Sequence, residues 1–209
     1  MAVVRKGTIG SISGKVGSVI AYQLNGRDIV RSIPEKRTKK VSPKEQANRD
    51  KFALMQAWLK PLTAYLRMGF KNYAPTFQGF VAAKSYNSKH AFRQNEDGGY
   101  FIDPSLALVS YGPLVLPQTM AMERNGDEIV ITWSTEDNHN GFETAMILAY
   151  IPATGKLKAG LAVAKRLEGR AVIAMPSASK KHEVHVYLTF FAYDHSSQTN
   201  SHYLGMMLS

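Results

Sequence analysis

After Asn95-Glu96-Asp97-Gly98-Gly99 the chain stops repeating apolar residues at helical intervals, and this change of texture limits its fold more than any other feature. From Tyr100 onward the apolar residues fall in short runs parted by turn formers, the pattern of β-strands. The runs predict strands at 100–102, 106–111, 119–124, 128–134, 145–151, 157–162, 171–175, 183–193 and 201–208. Asn125-Gly126-Asp127 and Pro152-Ala153-Thr154-Gly155 read as turns. Two runs alternate cleanly. Ile129, Ile131 and Trp133 share one face, and Val184, Val186, Leu188, Phe190 and Ala192 share one face against Glu183, His185, Tyr187 and Thr189.

Seven strands over roughly ninety residues, with a Trp near the end of the second, match the count and spacing of an immunoglobulin- or fibronectin-like sandwich. The chain has no Cys, so the inter-sheet disulfide of a true immunoglobulin domain is excluded and the fibronectin type III-like form is the closer one. The fold class expected is α+β. It comprises an N-terminal β-hairpin arm and helical region, followed by a C-terminal immunoglobulin/fibronectin III-like β-sandwich. Residues 1–99 form the basic, Gly-rich arm and kinked helical region of this scheme, and 100–209 the sandwich-like domain.

The helical region has a marked start. Ser42-Pro43-Lys44-Glu45 supplies an N-cap, a Pro at the first helical position and a Glu at the third. Phe52, Met55, Leu59, Leu62 and Leu66 then recur at three- and four-residue steps beside Trp58 and Tyr65, so one stripe faces a core. Pro61 lacks an N–H and should kink or split the helix. Residues 73–92 carry Phe77, Phe80, Val81, Ala83 and Ala91 with weaker periodicity and predict a second, shorter helix.

Before these helices lies GTIGSISGKVGSVIAYQLNGRDIVRS, residues 7–32. Two runs rich in Val, Ile and Tyr flank Asn25-Gly26, the pair that best tolerates a type I′ turn, and predict a hairpin of 17–24 with 27–33. Gly7, Gly10, Gly14 and Gly17 would share a helix face, but four glycines cost a helix about 1 kcal/mol each, so the extended form is favoured. The segment is not a Walker A loop. Gly10 precedes Gly14-Lys15 by too few residues, and Val16 stands where a magnesium-binding hydroxyl is needed. A flat, Gly-bearing strand with weak register suits pairing with a neighbouring subunit's sheet edge. The candidate assembly interface is therefore Gly7, Gly10, Gly14, Gly17, Val19, Ile20, Tyr22, Ile29 and Val30.

SGKVGSVIAYQLNGRDIVRSIP, then SPKEQANRDKFALMQAWL and LRMGFKN, then a β-rich tail with ITWS and LAYIPATGK, together resemble an uncharacterised Bacteroidota family known only as a domain of unknown function. The likeness spans nearly the whole chain. It implies an N-terminal motif, a helical middle and a sandwich-like C-terminus, and it carries no catalytic residues. The acidic-polar loop at 135–143 departs from the family pattern.

Charge is lopsided. Residues 1–100 hold 18 Lys/Arg against 6 Asp/Glu, whereas 101–209 hold 8 against 10. Such asymmetry fits either phosphate neutralisation by the basic half or head-to-tail contact between unlike halves of neighbouring subunits. Lys15, Arg27, Arg31, Lys36, Arg37, Lys39 and Lys40 are the candidate contacts to phosphate or an acidic partner, although aromatic residues are not interleaved with them in the sequence. His182 and His185 look like a zinc motif only superficially, being three apart on a strand with their side chains on opposite faces, where a zincin needs i and i+4 on a helix. Asp103, Glu123, Glu136, Asp137 and Asp194 fall at turns or strand ends, and no G-x-S-x-G elbow occurs.

These readings converge on a non-catalytic structural protein of bacterial or phage origin. It binds no cofactor and no metal, and it assembles with itself into a fibre, tube or virion-like structure through N-terminal strand exchange and charge complementarity. The competing readings are a nucleic-acid-binding protein using the basic half, and a carbohydrate- or adhesion-type sandwich using the loop at 135–142. No classical signal peptide and no apolar run of membrane-spanning length is present, so the expected location is cytoplasmic, virion-associated or reached by a non-classical export route.

Overall fold

A computed structural model describes residues 2–4, 13–24, 26–36, 38, 40–73, 78–136 and 142–209 of the chain. The chain divides into two compact units, Met1–Ser42 and Pro43–Ser209.

The first unit is a four-stranded antiparallel sheet. Its strands are β1 (Ala2–Val4), β2 (Gly14–Val16), β3 (Val19–Leu24) and β4 (Arg27–Ser32), in the order β1-β4-β3-β2. The hairpin expected around Asn25-Gly26 is β3 with β4, closing at the Leu24–Arg27 pair. Asn25 itself lies outside the described residues, and Gly26 has φ +74°, the left-handed backbone that a two-residue turn of this kind demands. A second two-residue turn, with Gly17 at φ +56°, joins β2 to β3.

The second unit begins with α1 (Pro43–Leu59), whose first residue is the Pro that the capping signal marks. Pro61 splits the helical stripe as expected. A 3-10 turn over Lys60–Leu62 intervenes before α2 (Thr63–Gly69), and α3 (Gly79–His90) follows. Strands β5 (Phe92–Gln94) and β6 (Tyr100–Ile102) form a short hairpin.

The apolar run at 106–111, expected as a strand, is not one. Side chains and scattered backbone groups take up its backbone polar groups instead of a ladder. Asn87 bonds both the N–H and the C=O of Leu108, and Ser201 Oγ accepts the N–H of Val109. Ala107 and Val109 can thereby enter the core without pairing.

Seven strands follow: β7 (Met120–Asn125), β8 (Glu128–Trp133), β9 (Thr144–Ile151), β10 (Lys156–Lys165), β11 (Arg170–Ala174), β12 (Glu183–Phe191) and β13 (His202–Leu208). They form two antiparallel sheets, β11-β8-β7 and β10-β9-β12-β13. Ile129, Ile131 and Trp133 of the first sheet share one apolar cluster with Ile147, Ile151, Val184, Val186 and Phe190 of the second.

The opposite face of the four-stranded sheet is buried as well. Leu148, Tyr150 and Tyr187 join a second cluster with Met55, Leu59, Leu62, Leu66 and Phe70 of the helical region. At about 1.5–3 kcal/mol for each fully buried large side chain, this two-sided burial is the unit's main source of stability. It also explains two departures from expectation. Tyr187, on the face of β12 opposite Val186 and Leu188, is buried in the cluster with the helices, and His185 and Thr189 on that same face are buried as well. The boundary expected after residue 99 instead runs through that cluster, and the division between units falls at Ser42/Pro43.

The two layers are pinned by aromatic and polar contacts. Trp58 meets the Tyr150 ring edge-on at 5.4 Å, and Tyr150 donates its hydroxyl to the Trp58 carbonyl at 2.9 Å. Burial pushes the Tyr150 phenol up to about 12. On the other side, Arg166 bonds Glu143 at 2.6 Å and the Val115 carbonyl at 2.8 Å, with its guanidinium 5.1 Å from the Phe190 ring centre. Both charged side chains are nearly fully buried.

Candidate functional site

The N-terminal sheet sorts its side chains by strand register. Residues paired across antiparallel strands share a face, so Lys15, Ile20 and Arg31 form one row across β2, β3 and β4. Tyr22 with Ile29, and Leu24 with Arg27, complete that face. Three cations thus share a face with one tyrosine, and the Arg31 guanidinium carbon lies 5.5 Å from the Tyr22 ring centre, a cation–π contact. The opposite face carries Val16 and Val19 in one row, Gly14, Ala21 and Val30 in the next, and Gln23 opposite Asp28. Among the described residues of this unit only Ala21 and Ile29 are buried.

The sheet's edges are short. Strand β2 is exposed along its whole length, and Val16 is 66% exposed. Gly14, in that edge strand, has φ +122° with open space where a Cβ would stand. A residue with a side chain would be strained there for its backbone alone.

This geometry places the expected assembly residues unevenly. Gly14 lies on the edge and Gly17 in the turn beside it. Val19, Ile20 and Tyr22 are in β3, and Ile29 and Val30 in β4, which are the two interior strands. Their ladders are filled within the chain, by β2 and β4 for β3 and by β1 and β3 for β4. Strand exchange by these residues would first have to break existing pairs, so the addition site the sheet offers is β2, with β1 at the far edge. Gly7 and Gly10 lie outside the described residues.

Of the expected cations, Lys15, Arg27 and Arg31 share the face around Tyr22. Lys36 and Lys40 are exposed in the connector after β4, and Arg37 and Lys39 lie outside the described residues. The Met1–Ser42 unit holds nine Lys/Arg against two Asp/Glu. Tyr22, which falls between Lys15 and Arg27 in the sequence, is thereby brought onto one face with them and Arg31. The Leu24–Arg27 pair that closes the hairpin sets the register, and parity then puts 20, 22 and 24 on the face of 27, 29 and 31.

Elsewhere, His182 and His185 do not share a strand, contrary to expectation. His182 precedes β12, and both residues line one cleft. Among the described residues no group of three or more His, Cys, Asp or Glu could hold a metal ion. No described helix is long and apolar enough to cross a membrane. The loop at 135–142, the expected adhesive surface, lies largely outside the described residues, although Phe142 at its end is exposed.

The sequence model of a family described as "Family of unknown function (DUF6266)" matches residues 11–205. The chain belongs to that family. No curated protein and no solved structure matches the chain.

Proposed function

We propose that this member of a family of unknown function is a non-catalytic structural protein that self-associates by edge-to-edge strand addition at β2, into a fibre, tube or virion-like assembly. One observation carries the reading. A three-residue edge strand, Gly14-Lys15-Val16, exposed throughout, closes a sheet that is a compact unit of its own. An unpaired edge offers its backbone N–H and C=O groups to another chain, and the open space at Gly14 admits a close backbone approach. The occupant is a second copy. The basic Met1–Ser42 unit complements the neutral-to-acidic stretch at 101–209, and such a heterologous contact propagates when its rotation does not close.

We read the C-terminal pair of sheets as a fibronectin III-like sandwich serving as the body of the subunit. The order of three strands, β11-β8-β7, against four, β10-β9-β12-β13, supports that reading, as does Trp133 at the end of the second strand.

Negative-stain microscopy and light scattering of the purified chain test the assembly, with Val16→Lys as the comparison. Ordered multimers that Val16→Lys disperses are the expected result. A full-length chain that stays monomeric at every concentration overturns it.

A second reading is favoured by the face around Tyr22. Lys15, Arg27 and Arg31 beside an aromatic ring could hold the phosphates and one base of a nucleic acid. Binding to a generic DNA that weakens steeply with salt, and that Tyr22→Ala and Arg31→Ala weaken further, would favour it over assembly.

A further inference from the structure

In the Pro43–Ser209 unit, a half-open cleft of about 690 Å³ lies between the end of α1, β6, the β9–β10 turn and the residues entering β12. Its volume is in the range of small-molecule sites. Trp58, Phe101 and Pro152 give it flat apolar walls, and Phe101 remains 41% exposed although nothing about a short hairpin strand requires an aromatic there.

Two opposite charges stand among the polar residues that line it. Lys181 makes no ion pair among the described residues. Glu183, two residues on, has a side chain 64% exposed, and its nearest basic group is the Nε2 of His185 at 3.8 Å. His185 is buried beneath the cleft and held by Tyr203 at 2.9 Å. Burial lowers its imidazole pKa, so at neutral pH it adds no positive charge to cancel Glu183. An ammonium and a carboxylate are therefore both left for a ligand, beside an apolar wall.

We propose that this cleft binds a small zwitterion with an apolar side chain, an aromatic α-amino acid. Its ammonium meets Glu183, its carboxylate meets Lys181, and its ring lies among Trp58, Phe101 and Pro152. A ligand with one charge would leave the other protein group unmatched, and a peptide end carries only one of the two. The site is distinct from the β2 edge and stands whether or not the chain assembles.

Three probes of nearly equal shape separate the terms: L-phenylalanine, N-acetyl-L-phenylalanine, which lacks the ammonium, and L-phenylalaninamide, which lacks the carboxylate. NMR of the full chain follows the Trp58 indole and His185 imidazole resonances during titration. L-phenylalanine should shift both and bind about two- to fivefold more tightly than either analogue, the worth of one exposed ion pair. Lys181→Gln should erase its advantage over the amide, and Glu183→Gln its advantage over the N-acetyl form. Both substitutions are at surface positions, and the ranking of the three probes on the unaltered chain is a test in itself. Unmoved resonances, an analogue that binds as well as L-phenylalanine, or variants that keep both advantages would each overturn the proposal.

Discussion

The N-terminal sheet and the four-stranded sheet β10-β9-β12-β13 are both antiparallel, yet they treat their faces and edges in opposite ways. The second is covered on both faces, and its inner strands β9 and β12 are buried almost throughout. Both its edges are irregular. Pairing of β10 slips between Gly160 and Ala164, and pairing with β13 slips at Val186/Tyr187, near Gly205 with φ +130°. Such bulges twist an edge away from a straight partner. The N-terminal sheet keeps strict register to its last residue at β2, with no slip and little burial. One sheet is built as a core and guards its rim. The other has little core and ends at β2 without a register slip, though Gly14 in that strand has φ +122°, and this difference in pairing is the one the proposed assembly rests on.

The difference can be broken most forcefully from the core side. Both tryptophans, Trp58 and Trp133, belong to the second unit, so their fluorescence during denaturation reports that unit alone. Phe190→Ala should lower its stability by about 3–5 kcal/mol, because Phe190 is fully buried between the two sheets. Arg166→Leu should cost about 3 kcal/mol by stranding the Glu143 carboxylate, and adding Glu143→Leu should recover most of that loss, since a buried pair can be replaced by apolar side chains with little penalty.

A pH series gives a smaller effect of known sign. Burial lowers the His185 imidazole, against the opposing pull of Glu183 and Asp103, below its ordinary 6.5. The unfolded chain therefore takes up the proton first. The His185 contribution is whole above 6.5 and is lost as pH falls through 6.5 toward the folded value. His185→Gln should flatten that part of the stability-against-pH curve.

The smallest effect is the most telling for the comparison. Ile29→Ala in the N-terminal sheet should leave the tryptophan-detected midpoint within about 0.5 kcal/mol of the parent. A shift like that of Phe190→Ala would mean that the first sheet belongs to the core, and the contrast would fail.

Local signals in the sequence were legible where chain chemistry settles structure by itself. Asn25-Gly26 marked a hairpin, Ser42-Pro43 a helix start, Pro61 a break, and the runs from Met120 onward seven strands in order. The misses were matters of what packs on what. Burial of Tyr187 depends on a helical layer that no residue near it announces, and the run at 106–111 lost its strand to side chains of Asn87 and Ser201, distant in sequence. At the candidate site the strands were legible, but their order was not. Spacing alone could not tell that Val19 to Tyr22 would lie inside the sheet while Gly14 to Val16 formed its rim.

Sedimentation velocity of the full chain over a wide concentration range, beside Val16→Lys, addresses the β2 edge most directly. Species heavier than one chain should grow with concentration in the parent and vanish in the variant, while the tryptophan-detected stability of both stays the same. A single-chain boundary at every concentration, or multimers that persist unchanged with lysine at position 16, would contradict it.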